Sequence, residues 1–198
     1  MTQLSYRIDH QDRLAELSGD WDAFAEANGG PHLVGNAILG RPLWDFLSDP
    51  TTVRIYRGLV ARIRKQTQVA RFRFRCDSPG HRRMLAMEMA PDAAGGVWFR
   101  VSIDREQERP PVTLLEGGRP RSGELLTVCS WCERVNLPVD RWVEVEEAVQ
   151  ELRLFEVSPL PRLSHGICHS CCETMMNALD GIGRPGADVP AVGIISQA

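Results

Sequence analysis

Two cysteine pairs constrain this chain more than any other feature. Cys129-x-x-Cys132 and Cys168-x-x-Cys171 are separated by 35 residues. Two residues between cysteines let both sulfurs of a pair face one centre, and two such pairs supply four ligands to a tetrahedral metal. The chain between them must therefore fold so that its ends meet. Four thiolates around Zn²⁺ carry a net charge of −2, and Arg134, Arg141 and Arg162 are the candidate compensating cations. If Cys171 lies in the first turn of the last helix, the helix dipole favours its thiolate form.

Five of the six cysteines fall between Val128 and Leu179. The opening "MTQLSYRIDHQDRLAELS" has no apolar run of signal-peptide length, and no window approaches a membrane span. A cytoplasmic location, with thiols kept reduced, is the expectation, which places disulfides last among the readings. An iron–sulfur cluster could use the same four ligands. A thioredoxin-like pair needs one exposed CxxC at a strand–helix junction in a parallel sheet, and no such pattern is found. Structural zinc on Cys129, Cys132, Cys168 and Cys171 is the leading expectation. Cys172 and His169 are spare donors, read as a buried apolar residue and a surface residue. His165 is either a donor to a thiolate or an ordinary turn histidine.

The chain has 198 residues, enough for one good core or two small ones, and its net charge of −3 implies no global preference for polyanions. "LSYRID", "HQDR" and "LAELS" read as a hairpin. "SGDWDAFAEANGG" is a short helix carrying Trp21 and Phe24 and ending at Gly29-Gly30. Asp49 caps a longer helix with Pro50 at its first position, and Val53, Tyr56, Leu59, Val60 and Ile63 form its apolar face. Three strands follow. "QVARFRFRCD" alternates Phe72, Phe74 and Cys76 with Arg71, Arg73 and Arg75; "RRMLAMEMA" and "GVWFRVSID" come next. Tight turns make such strands antiparallel, and the intervening helices cover one sheet face, giving an α+β domain.

Residues 105–124 are rich in proline and glycine and read as a linker, with a short strand at "VTLLE". The cysteine-bearing module is expected over 125–180, with a helix through "DRWVEVEEAVQELRLF" and another ending "SHGICHSCCETMMNALD". A disordered tail is expected over 181–198.

The strand-strand-helices-strand-strand-strand order, with "WDAFAEAN", "ILGRPLWDFLSD" and "FRFRCDSPGHRRMLAMEM", resembles a PAS sensory domain over residues 5–104. The second half, with "CSWCERV", "RWVEVEEAV" and "SHGICHSC", is similar to a cysteine-rich tail that follows PAS domains in bacterial signalling proteins; His169 stands where that tail usually has proline. The resemblance implies a five-stranded antiparallel sheet with helices on one face and a pocket between them; the cysteine spacing adds the expectation of a small zinc-bound helical module after it. The resemblance also implies sensing or protein–protein signalling, with a protein partner and a homodimer, and leaves the PAS ligand unknown.

No catalytic motif is present, so a non-enzymatic role is expected. The long helix carries no histidine for a haem, and His32 is the one pocket-side candidate. The "N-C-R-F" cysteine of flavin photosensors is missing, and Cys76 reads as a small core residue. Trp21, Phe24, Trp44, Phe46, Tyr56, Phe72 and Phe74 are the candidate pocket lining, with plain core packing as the simpler reading of each. From Arg54 to Arg83 there are ten basic residues and one acid, Asp77. Such a stripe suits nucleic acid or an acidic partner. A solvated or salt-bridged face is the default reading, since Glu144, Glu146, Glu147 and Glu151 supply an opposite patch. The alternative functions are thus a zinc-ribbon-like nucleic-acid-binding regulator and a thiol-based redox sensor.

Overall fold

The computed structural model describes residues 3–27 and 30–181. Gly29 and the expected tail from residue 182 onward lie outside them.

Strand β1 (Gln3–Ile8) turns into β2 (Leu14–Leu17). Asp9 sets the turn by accepting the backbone N–H groups of Gln11 and Arg13. Helix α1 (Trp21–Ala27), a 3-10 turn at Pro31–Leu33, α2 (Gly35–Ile38) and a second 3-10 turn at Leu43–Phe46 lead to α3 (Pro50–Gln66). Asp49 caps α3 by accepting the Thr52 N–H at 2.6 Å, and Thr67 ends it in the left-handed region. Strands β3 (Ala70–Arg75), β4 (His81–Pro91) and β5 (Val97–Glu108) complete an antiparallel sheet of order β2-β1-β5-β4-β3.

Helix α3 lies on this sheet. Ile55, Leu59, Val60 and Ile63 are buried against Phe72, Met87, Met89, Val97 and Phe99. The buried stripe is turned from the expected one: Thr52 and Ile55 are inside, whereas Val53 and Tyr56 are half-buried. Tyr56 instead faces sideways, its ring 5.6 Å from that of Trp131 and 6.2 Å from that of Phe72.

The second half begins with a 3-10 turn at Thr113–Leu115 and β6 (Arg121–Cys129), continues through β7 (Val135–Leu137), β8 (Arg141–Val143) and α4 (Val145–Glu151), and passes a 3-10 turn at Leu154–Glu156. It ends with β9 (Leu160–Gly166) and α5 (His169–Gly181). A mixed sheet of order β8-β7-β6-β9 results, in which β6 and β9 are parallel.

Three expectations are corrected here. The linker is shorter than 105–124, because β5 stays paired with β4 as far as Glu108 opposite His81, and β6 starts at Arg121. "VTLLE" holds a 3-10 turn rather than a strand. The segment "DRWVEVEEAVQELRLF" is helical only from Val145 to Glu151; Arg141–Val143 pairs with β7 across a turn where Val139 and Asp140 take positive φ. The module is therefore a four-stranded sheet with two helices, not a helical unit. It has its own buried cluster, including Val112, Leu114, Val128, Val135, Val143 and Ala148. Its cysteine end nonetheless joins the first core: Cys129, Trp131, Cys168, Cys171, Met175 and Leu179 are buried in one cluster with α3 and the five-stranded sheet. Among the described residues no helix is long and apolar enough to cross a membrane.

Candidate metal centre

The parallel pairing of β6 with β9 is what brings the cysteine pairs together. It sets Cys129, the last residue of β6, opposite Gly166, and the Ser130 N–H donates to the Gly166 carbonyl at 2.9 Å. Cys132 follows in the turn toward β7, where Glu133 takes φ 59° and its N–H donates to the Cys129 carbonyl at 2.9 Å. Cys168 follows β9, and Cys171 lies in the first turn of α5. The four Sγ atoms all lie within 4.8 Å of one another.

This geometry fits a tetrahedral metal. Ligands at ~2.3 Å from zinc stand ~3.8 Å apart along a tetrahedron edge. Cys132 Sγ and Cys168 Sγ are 3.8 Å apart, too far for a disulfide, and all six cysteines are free. Cys129, Cys168 and Cys171 are buried, and Cys132 is partly open. Donors supporting thiolates are in place: the Cys168 N–H points to Cys129 Sγ at 3.4 Å, and Ser170 Oγ lies 3.3 Å from Cys168 Sγ. The thiols also divide in acidity. Mutual hydrogen bonding lowers Cys129, chiefly through Cys132, and depresses Cys168 through Cys129. The same contacts, led by Cys129, raise Cys132 and Cys171 above the usual thiol range. Four such sulfurs all become thiolates only with a cation among them.

The other candidates separate clearly. Cys172 is half-buried and outside the sulfur cluster. His169 is on the surface, 3.2 Å from Glu173. His165 is exposed on β9, opposite Val128, and His32 is exposed in its 3-10 turn. Burial, then repulsion from Glu133, pushes the Cys76 thiol up to about 11, an unreactive state. Arg134 and Arg141 direct hydrogen bonds to carboxylates, Arg134 to Glu144 and Arg141 to Glu147 and Glu151, and Arg162 is exposed.

The aromatic set packs around the core of the five-stranded sheet. Trp21 Nε1 donates to the Leu33 carbonyl and Trp44 Nε1 to Asp12. Arg41 covers Phe46, and Arg57 covers Trp44. Phe24 is half-buried on α1. Tyr56, Phe72 and Phe74 form a chain of ring contacts that reaches Trp131 through Tyr56. Of the seven, only Phe74 lines the cleft of about 680 Å³ that opens beside Cys132 and Cys171.

The arginine stripe divides into two parts. Arg71 pairs with Glu88 and Arg73 with Asp104 across the sheet. Arg75, expected on the same exposed face, is buried between Asp77 and Glu144. Arg82 and Arg109 reach Glu146, and Arg109 also lies 3.2 Å from the fully buried Asp77 carboxylate. Sequence reading anticipated the acidic helix beside the arginines. It missed Asp77 and Arg109 as the joint's inner members, because only the fold brings residues 77, 109 and 144 to one place.

No family model matches the chain, and no curated protein matches it.

Proposed function

We propose that this chain is a PAS-type sensory or adaptor protein of bacterial signal transduction, without catalytic activity, whose four cysteines hold a structural Zn²⁺. The observation that carries the reading is the pairing of two features in one chain. A five-stranded antiparallel sheet of order β2-β1-β5-β4-β3 has its helices inserted between β2 and β3, and a four-sulfur cluster is docked on that sheet's core. Zinc would be held by Cys129, Cys132, Cys168 and Cys171. With four protein ligands it would have no open position for water and would act as a fold-stabilising ion.

The buried joint of Arg75, Asp77, Glu144 and Arg109 gives a physical route between sheet and cysteine module. A change at the sheet would be felt by the module, which would present the result to a protein partner, with the chain working as a homodimer in the cytoplasm. Pairing of Arg71 with Glu88 and of Arg73 with Asp104 leaves the nucleic-acid alternative with less cationic surface than the sequence suggested. One observation favours the redox alternative: Cys132, the partly open member of the four, lines an open cleft.

The test is sedimentation and native mass spectrometry of the purified protein, before and after mild peroxide. A dimer with one zinc per chain, unchanged by peroxide at levels that spare other thiols, supports the sensory reading. Zinc release that is reversed by a thiol reductant supports the redox reading.

A further inference from the structure

The cleft beside the sulfur cluster is lined by residues of β3, β4 and β5 on one side and of β8 and the cysteine turn on the other. Its volume of about 680 Å³ falls within the range of small-molecule sites. The lining has two chemistries. Phe74, Met84 and Trp142 supply apolar surface, and six arginines face two carboxylates, Glu144 and Glu147.

Those carboxylates are already committed. Glu144 accepts from Arg75 and Arg134 and lies 3.7 Å from Arg82, and Glu147 is held by Arg141. Arg105 lines the cleft with no ion pair or hydrogen-bond partner for its side chain among the described residues. Arg134 donates through Nε alone, at 3.3 Å, so its terminal nitrogens have no protein acceptor among those residues. Cationic donors next to an apolar wall call for a ligand with one anionic end and one apolar body.

We propose that this cleft binds a small amphipathic carboxylate, aromatic or acyl, with its body against Phe74, Met84 and Trp142 and its carboxylate on Arg105 and Arg134. Because Phe74 and Met84 belong to the sheet and Trp142 and Arg134 to the cysteine module, the ligand touches both halves of the chain. The proposal rests on the cleft alone and does not depend on the sensory reading.

The test uses the full chain as purified, with naphthalene-2-carboxylate as probe and the neutral naphthalene-2-carboxamide as control. Binding is followed by calorimetry and by the indole N–H resonance of Trp142. The expected result is saturable binding of one naphthoate per chain, at least tenfold tighter than the carboxamide. It should weaken tenfold or more in Arg105→Gln with Arg134→Gln and stay unchanged in Arg153→Gln, an exposed site away from the cleft. The single Arg105→Gln, at an exposed position that leaves the fold intact, should show part of that loss. Octanoate in place of naphthoate separates the acyl from the aromatic ligand, and saturable binding of either supports the site. Failure of both to saturate, equal affinity for acid and amide, or unchanged binding in the arginine variants would overturn the proposal.

Discussion

The backbone N–H of Arg75 donates to the carbonyl of Trp131 at 2.8 Å. Trp131 is the aromatic residue inside the first cysteine pair, and Arg75 is the last residue of β3. The edge of the first sheet is thereby tied to the turn that carries the sulfurs. The tie continues in the Trp131 side chain, which is 2 % exposed and lies against Tyr56 of α3. Trp131→Ala should cost about 3–5 kcal/mol, the usual range for emptying a large aromatic site. Trp131→Phe should cost less, because the buried Trp131 Nε1 has no hydrogen-bond partner to lose. Urea denaturation of both variants, read by far-ultraviolet circular dichroism, checks the order.

Asp77 is the second tie. Its carboxylate is fully buried, accepts from the Arg75 guanidinium and from the Arg83 N–H, and lies beside Arg109. Asp77→Asn removes the fully buried counter-charge of Arg75 and Arg109, leaving them only the part-exposed Glu144 and Glu146, and breaking a buried pair costs up to about 3–5 kcal/mol. The expected outcome is a large drop in the urea midpoint. A change no greater than that of Arg73→Gln, whose ion pair is exposed, would count against the joint.

Acid should loosen the same joint. Burial raises Glu144, but the Arg75 charge, its hydrogen bond and those of the neighbouring arginines outweigh burial and hold the carboxyl below its usual range. A depressed folded-state pKa stabilises the fold above the unfolded value of ~4.3, and that contribution is lost as pH falls through the folded value. Glu144→Gln should therefore be less stable than the parent at pH 7, with the gap closing in acid. Paired urea titrations between pH 7 and pH 3 measure the gap, and the difference cancels the separate effect of acid on the thiolates.

The docking of α5 on α3 is close enough to test with one methyl-bearing residue. A Cβ at Gly58 would stand 3.3 Å from two carbons of Leu179. Gly58→Val should push the two helices apart and lower the melting temperature, despite its lower backbone entropy cost. Adding Leu179→Ala should recover part of the loss if the contact is the cause.

Much of the first half was legible in its sequence because its signals are local. The Asp49 cap, the alternation of Phe72 with its arginines and the apolar pattern of β4 and β5 all follow from neighbours in the chain. The second half was harder to read for a physical reason. β7 and β8 have three residues each, too few to show a period, and β9 carries Pro161 and pairs in parallel with β6, a strand distant in the chain. The four cysteines stood out by spacing, yet the β6–β9 register that unites them is a long-range property. Arg75 was misplaced because strand alternation ends where the second module docks: β3 is buried at both Phe72 and Arg75.

The central claim is that four sulfurs hold one zinc and thereby secure a module packed on the first core. Metal content and the visible absorption spectrum of the full chain, measured together for the parent and for Cys171→Ser, test it most directly. The account expects one zinc per chain, no visible band, and loss of the zinc together with a lower unfolding midpoint in the variant. Iron with a visible charge-transfer band, or a metal-free parent with the same stability as the variant, would contradict it.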